Sequence, residues 1–172
     1  MSIDERFSRF LFERTKDSYV LTKFAIFCGS FLIWLMFGLA IGRMFADSLF
    51  LIPLVFFPWL VTFVLSRWIK RPRPFESEHY KPIIKLFVYT NSFPSAHSTL
   101  AFALAGAFIH DPIVLLIMTV CAVLVGLGRM MVGVHYLTDV LVGALIGFVG
   151  GFAFRVLLTI ILLYLYPIPN ML

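Results

Sequence analysis

The chain has 172 residues, of which 61% are hydrophobic and 13% charged, with 20 phenylalanines and a mean hydropathy of +0.98. A soluble domain carries roughly 25% charged residues. Composition therefore excludes an ordinary water-soluble globule and points to a polytopic membrane protein, and the length suits one compact helical domain over residues 1–172. The net charge of +5 is gathered in a few stretches, so its placement matters more than its size.

Residues 1–18 read as a short amphipathic helix lying in the membrane interface: Ile3, Phe7, Phe10 and Leu11 fall at helical spacing, with Arg6, Arg9, Glu13 and Arg14 between them. The mixture of both charge signs with scattered phenylalanine does not read as a cleavable signal. Residues 24–42 carry no charge and are long enough to cross roughly 30 Å of hydrocarbon. A second span follows over 49–66, with Pro53 and Pro58 able to kink it.

The long polar segment, 67–93, carries Arg67, Lys70, Arg71, Arg73, Lys81 and Lys85 against Glu76 and Glu78. Pro72 and Pro74 keep Arg71 and Arg73 extended, because a residue before proline avoids the helical region. Residues 83–89 fit either a short interfacial helix or a strand. Asn91-Ser92-Phe93-Pro94 reads as a helix start. A third span, rich in small residues that permit close approach, then runs to about residue 109. After the turn at His110-Asp111-Pro112 come a fourth span to 127 and a fifth over 140–166. In the fifth, Gly143, Gly147 and Gly151 are four apart and form a packing face, and Arg155 interrupts the apolar run. The expected fold is an all-α bundle of about five transmembrane helices with an N-terminal interfacial helix. Five spans put the 67–93 loop, the stretch at 128–135 and the N-terminus on one side of the membrane. Cys28 and Cys121 sit in apolar runs, with neither metal-ligand spacing nor a disulfide framework.

Ionisable residues next to membrane helices are functional candidates by default. Arg129, His135 and Asp139 fall within twelve residues, and His135 and Asp139 are four apart. A carboxylate beside an imidazole fixes its tautomer and stabilises its cation. Alone, the group fits a base, a ligand or a buried pair. Ser95-Ala96-His97 adds a second proton carrier at the start of a helix, where free N–H groups and the positive dipole end suit a phosphate. Arg73 and Arg129 offer bidentate bonds to phosphate oxygens, and Ser95 a hydroxyl. Two histidines, a carboxylate and two arginines around an anion site make a phosphoryl-transfer constellation in which arginines, rather than a metal, neutralise charge.

These segments resemble the signature of the type 2 phosphatidic acid phosphatase family of integral membrane lipid phosphatases. Its first block ends in Arg-Pro, as at Arg73-Pro74. Its second is Pro-Ser-Gly-His or a close variant, as at Pro94-Ser95-Ala96-His97. Its third is Ser-Arg, five residues, His, three residues, Asp, as at Arg129, His135 and Asp139. The resemblance covers roughly residues 66–139. It implies that His135 is phosphorylated, and that His97 protonates the leaving group and then activates water. It also implies that Arg73, Arg129, Ser95 and Ala96 cradle the phosphate, with no cofactor or metal.

Two positions depart from the pattern. The first-block lysine is Ser66 here, with Arg67 preferred over Lys70 to supply its charge, and the third-block serine is Gly128, which removes one hydroxyl. By resemblance the protein is a lipid phosphate or diphosphate hydrolase in the cell membrane, its site on the extracytoplasmic face. Undecaprenyl diphosphate is the foremost substrate, and phosphatidate and phosphatidylglycerophosphate are the nearest competitors. A phosphotransferase and a non-catalytic lipid-phosphate binder or transporter are the alternatives. The expected partners are a lipid phosphate and the bilayer, not nucleic acid; the oligomeric state is left open.

Overall fold

The computed structural model describes residues 2–43, 50–85 and 91–165. Among them the secondary structure is entirely helical. Helix α1 (Ile3–Lys16) starts in a capping box: Ser2 Oγ accepts from Glu5 N at 3.2 Å and Glu5 Oε2 accepts from Ser2 N at 2.8 Å. Its Ser8, Phe12 and Thr15 face the bundle while Ile3 and Phe10 are exposed. Helix α2 (Tyr19–Arg43) is the first span. Its turn at Phe27–Phe31 widens into a π-bulge, a feature common at functional sites.

Helix α3 (Leu51–Ile69) follows, with Pro58 inside it, and ends where Lys70 takes a left-handed conformation, φ 49°. A single turn, α4 (Pro74–Ser77), begins with proline at its first position. Residues 83–85 are neither helix nor strand, and 86–90 lie outside the described residues. Helix α5 (Ala96–Gly106), α6 (Pro112–Met131) and α7 (Leu137–Leu165) complete the bundle. Asp111 caps α6, its Oδ1 accepting from Val114 N at 3.2 Å, and also pairs with Arg43, joining α2 to α6 at the end away from the polar loop. Helix α7 runs through Arg155 without a break; Tyr166, the last residue of the expected fifth span, lies outside the described residues.

Among the described residues, four helical stretches are long and apolar enough to cross a membrane: Tyr19–Arg43, Leu51–Ser77, Pro112–Met131 and Leu137–Leu165. The chain is thus a multi-pass, all-helical membrane protein. The expected third span differs from its sequence reading. It is an 11-residue helix, about 16 Å long, and it starts at Ala96 behind a Ser95 cap rather than at residues 91–94. It can be short because its neighbours wrap most of it; Ala101, Ala103, Leu104 and Ala105 are fully buried.

Close approach of α5 to α7 needs the glycine face seen in the sequence. A Cβ on Gly143, Gly147 or Gly151 would come within 2.6, 2.1 and 2.1 Å of the carbonyl oxygens of Ser95, Thr99 and Ala103. Thr99 in turn meets Thr62 of α3, hydroxyl to hydroxyl at 2.9 Å. The apolar core, with Met36, Leu54, Leu104 and Met118, fills the bundle between these contacts and the far end. Cys28 and Cys121 are free thiols.

Candidate active site

The C-terminal ends of α3 and α6 and the N-terminal ends of α5 and α7 meet at one end of the bundle, and Arg73, Ser95, His97, Arg129, His135 and Asp139 converge there. Ser92 and Asp139 are fully buried, and Arg73, Arg129 and His135 are 3–4% exposed. So much buried charge and imidazole is stable only if partnered.

His135 lies in the link between α6 and α7. Its Nδ1 is 2.8 Å from the Ser92 carbonyl oxygen and 3.6 Å from Asp139 Oδ2. A carbonyl only accepts, so Nδ1 carries the proton and donates to it, which leaves the lone pair on Nε2. Nε2 is 3.5 Å from Arg73 Nη1. Burial pushes the His135 imidazole down to about 4; Asp139 works against that, while Arg73 and Arg129 reinforce it.

Asp139 is held by several donors. Oδ2 accepts from Tyr136 N at 2.8 Å and from the Ser92 hydroxyl, and Oδ1 accepts from Arg71 Nη1 at 2.9 Å. The orientation of His135 is therefore shared: Ser92 offers its carbonyl to the ring while its hydroxyl is tied to the carboxylate. The Asp139 backbone carbonyl also accepts from Ser95 N at 3.0 Å, tying the first turn of α7 to the start of α5.

The arginines enter from two loops. Arg73 Nη1 donates to the Val134 carbonyl at 3.0 Å, and Arg73 N donates to Glu76 Oε2 at 2.8 Å. The 134 carbonyl is presented by a turn in which Gly133 has φ +81°; a Cβ there would also meet the rings of Phe12 and Tyr80 within 3.0 Å. Arg129 Nη1 donates to the Gly29 carbonyl at 3.0 Å, while its Nε is buried with no partner among the described residues. An orphaned guanidinium N–H is costly unless something anionic or polar completes it. At the α5 N-terminus, Ser95 Oγ accepts from Ser98 N at 3.4 Å and from Ser98 Oγ at 3.1 Å. Ala96 and His97 occupy the first turn, whose N–H groups have no carbonyl within the helix. His97 lies within electrostatic reach of Arg129, His135 and Arg73. The whole arrangement is a cationic, hydrogen-bond-donating cradle suited to a tetrahedral oxyanion.

Two expected contributors stand elsewhere. Arg67 is exposed and lies over the Phe63 ring at 5.2 Å, and Lys70 is exposed at the end of α3. Neither is hydrogen-bonded to the cluster, because α3 turns them outward before the chain bends back. The Ser66 side chain is buried and donates to the Phe63 carbonyl at 2.8 Å. The additional cation the structure brings in is Arg71, a basic residue of the polar loop whose Nη1 lies 2.9 Å from Asp139 Oδ1. Gly128 also gains a reason: a Cβ there would lie 2.4 Å from Gly29 N. The glycine lets the α2 bulge approach α6 and hand its carbonyl to Arg129. Among the described residues no three His, Cys, Asp or Glu side chains converge as a metal-ligand group. Ser92 carried no signal of its own in the sequence, since its carbonyl is a backbone group; only its place ahead of Pro94-Ser95-Ala96-His97 marks it.

The chain is similar to known proteins in sequence and in fold. The PAP2 superfamily profile matches residues 48–161. Phosphatidylglycerophosphatase B of Bacillus subtilis (strain 168) is 36% identical over 100 residues, 51% of this chain and 46% of that protein, so the match spans less than half the relative's length. The crystal structure of a transmembrane PAP2 type phosphatidylglycerolphosphate phosphatase from Bacillus subtilis superposes with a TM-score of 0.73 at 26% identity, covering 92% of this chain and 85% of that one. LpxE of Aquifex aeolicus shares the fold, with a TM-score of 0.73 at 23% identity over 90% of this chain and 95% of its own.

Proposed function

Because the chain belongs to the PAP2 superfamily, we propose that it is a membrane phosphatase that hydrolyses the phosphate ester of a lipid through a phosphohistidine. The observation that carries this reading is His135 with Nδ1 committed to Ser92 and Nε2 turned toward Arg73, beside a buried Arg129 whose Nε has no partner among the described residues. His135 Nε2 attacks phosphorus and the phosphorus–oxygen bond to the lipid breaks, while His97 gives its proton to the leaving oxygen. His97 then takes a proton from water as the water oxygen attacks the phosphohistidine. The phosphorus–nitrogen bond breaks and inorganic phosphate leaves.

Arg73 and Arg129, with the Ser95 hydroxyl and the first N–H groups of α5, neutralise charge on the three non-bridging oxygens, a role metal ions fill in many phosphoryl-transfer enzymes. Asp139 stabilises the imidazolium character that His135 gains on attack.

The favoured substrate is phosphatidylglycerophosphate, the lipid after which the Bacillus subtilis relatives are named. Phosphatidate presents the same phosphomonoester, and undecaprenyl diphosphate presents a terminal phosphate whose leaving group is a second phosphate rather than an alcohol. The site faces the extracytoplasmic side of the cell membrane, and accessibility of a cysteine placed at Ser77 to an impermeant thiol reagent tests that orientation.

The test of function is phosphate release from these three lipids in detergent, with EDTA present, by wild type and His135→Ala. The proposal expects activity in EDTA that the variant loses. Unchanged activity in His135→Ala would refute the mechanism, and loss of activity on chelation would refute the metal-free chemistry.

A further inference from the structure

The first N–H groups of a helix need acceptors from outside it. For α7, whose first turn carries Asp139, two of these come from α1, more than a hundred residues earlier. Leu137 N donates to Ser8 Oγ at 3.0 Å, and Thr138 N donates to Asp4 Oδ1 at 3.0 Å. Asp4 Oδ2 also accepts from the Thr138 hydroxyl at 2.6 Å and from Arg71 Nη2 at 2.7 Å. Arg71 spends its other terminal nitrogen on Asp139 Oδ1 at 2.9 Å, and its guanidinium lies 3.9 Å from the Tyr136 ring centroid.

A continuous chain thus runs from Asp4 through Arg71 to Asp139, and from Asp139 through Ser92 to His135. Burial raises the Asp4 carboxyl, but hydrogen bonds from Thr138 and Arg71 outweigh it and hold the group below its ordinary range. Helix α1 is seated for this task. Arg9 bonds Glu78 at 3.0 Å, and Phe12 stacks on Tyr80 with ring centroids 4.3 Å apart. The Tyr80 hydroxyl donates to the Gly133 carbonyl at 3.1 Å, one residue from the carbonyl that holds Arg73.

We propose that the amphipathic N-terminal helix completes the active site, with Asp4 and Ser8 as positioning residues that cap α7 from outside and share Arg71 with Asp139. The inference rests on the lipid-phosphatase reading, and it assigns to α1 a role beyond lying in the membrane interface. A helix at the lipid surface with its polar face fixed to the site makes turnover depend on how that helix is seated.

The test uses the full chain in detergent with phosphatidylglycerophosphate, reading kcat and KM for Asp4→Ala, Asp4→Asn, Ser8→Ala and Glu13→Ala, each with its thermal midpoint. Loss of an N-cap weakens a helix start by a factor of about five to thirty, and kcat of Asp4→Ala is expected to fall by that factor with KM nearly unchanged. Asp4→Asn keeps an oxygen for Thr138 N but no charge for Arg71, so its kcat falls between Asp4→Ala and wild type. Ser8→Ala loses about two- to fivefold. Glu13→Ala, whose ion pairs are with Arg9 and Lys16 of its own helix and not with α7, matches wild type. Should the Asp4 variants fail to fold, Ser8→Ala alone decides. Wild-type kcat in Ser8→Ala and in any folded Asp4→Ala, or a loss confined to KM, would overturn the inference. A wild-type protein that releases no phosphate from any of the three lipids would instead refute the phosphatase reading on which it stands.

Discussion

Replacing Asp139 by asparagine keeps the side chain's size and removes its charge. In the native site the carboxylate stands 3.6 Å from His135 Nδ1 and accepts from Tyr136 N, the Ser92 hydroxyl and Arg71. When His135 attacks phosphorus its ring becomes cationic, and the ion pair then formed across 3.6 Å is worth roughly 4 kcal/mol at an effective dielectric constant of about 20. Asparagine forfeits that term only when the ring is charged, so the loss falls on the transition state and not on lipid binding. The amide also turns an N–H₂ toward one of the present donors. The expected result is a kcat lower by about 10³ with KM little changed. The assay is phosphate release at saturating lipid, with the thermal midpoint measured in parallel. A folded Asp139→Asn enzyme whose kcat stays within about tenfold of wild type would refute the electrostatic role assigned to the carboxylate.

Three further outcomes follow from the same geometry. His135 reacts when neutral, and burial holds its pKa at about 4; the acid limb of kcat/KM should therefore lie well below the ordinary histidine range. Arg73→Gln, which removes a cation that helps depress it, should move that limb to higher pH. Gly128→Ser, which restores the hydroxyl of the family pattern, should destabilise the protein by about 3 kcal/mol, because its Cβ would meet Gly29 N at 2.4 Å; a lowered thermal midpoint with no gain in phosphate affinity is the expected reading. Gly147→Ala should cost about 1–3 kcal/mol, whereas Gly38→Ala, with no atom within 4 Å of the added Cβ, should leave the midpoint in place; the same thermal measurement checks both.

Much of the architecture could be read from residue order because a bilayer leaves little choice. Long uncharged runs become spanning helices, and a glycine at every fourth place becomes a contact face, as at Gly143, Gly147 and Gly151. The convergence of Arg73, Ser95, His97, Arg129, His135 and Asp139 was legible too, since an arginine, a histidine or a carboxylate at the head of an apolar helix has few other uses.

What the sequence concealed was of a different kind. The shortness of α5 depends on the neighbours that surround it, not on its own apolar residues. Arg71 and Arg73 both precede proline and look alike, and only the fold shows one against Val134 and the other between Asp4 and Asp139. The Ser92 and Gly29 carbonyls are backbone groups, invisible to side-chain chemistry. Arg67 looked suited to replace the absent lysine, but its position on α3 sends it over Phe63 and away from the cluster. The capping of α7 by Asp4 and Ser8 joins residues more than 125 positions apart, beyond any local pattern.

A phosphoryl group carried on His135 can be captured directly. Wild-type protein is mixed with phosphatidylglycerophosphate labelled in its terminal phosphate, quenched in alkali within the first turnover, and digested for mass spectrometry. Label is expected on the peptide containing His135, on the ring nitrogen Nε2, absent in His135→Ala and discharged to inorganic phosphate on longer incubation. Label on another residue, or full phosphate release with no labelled protein at any time, would contradict the phosphohistidine.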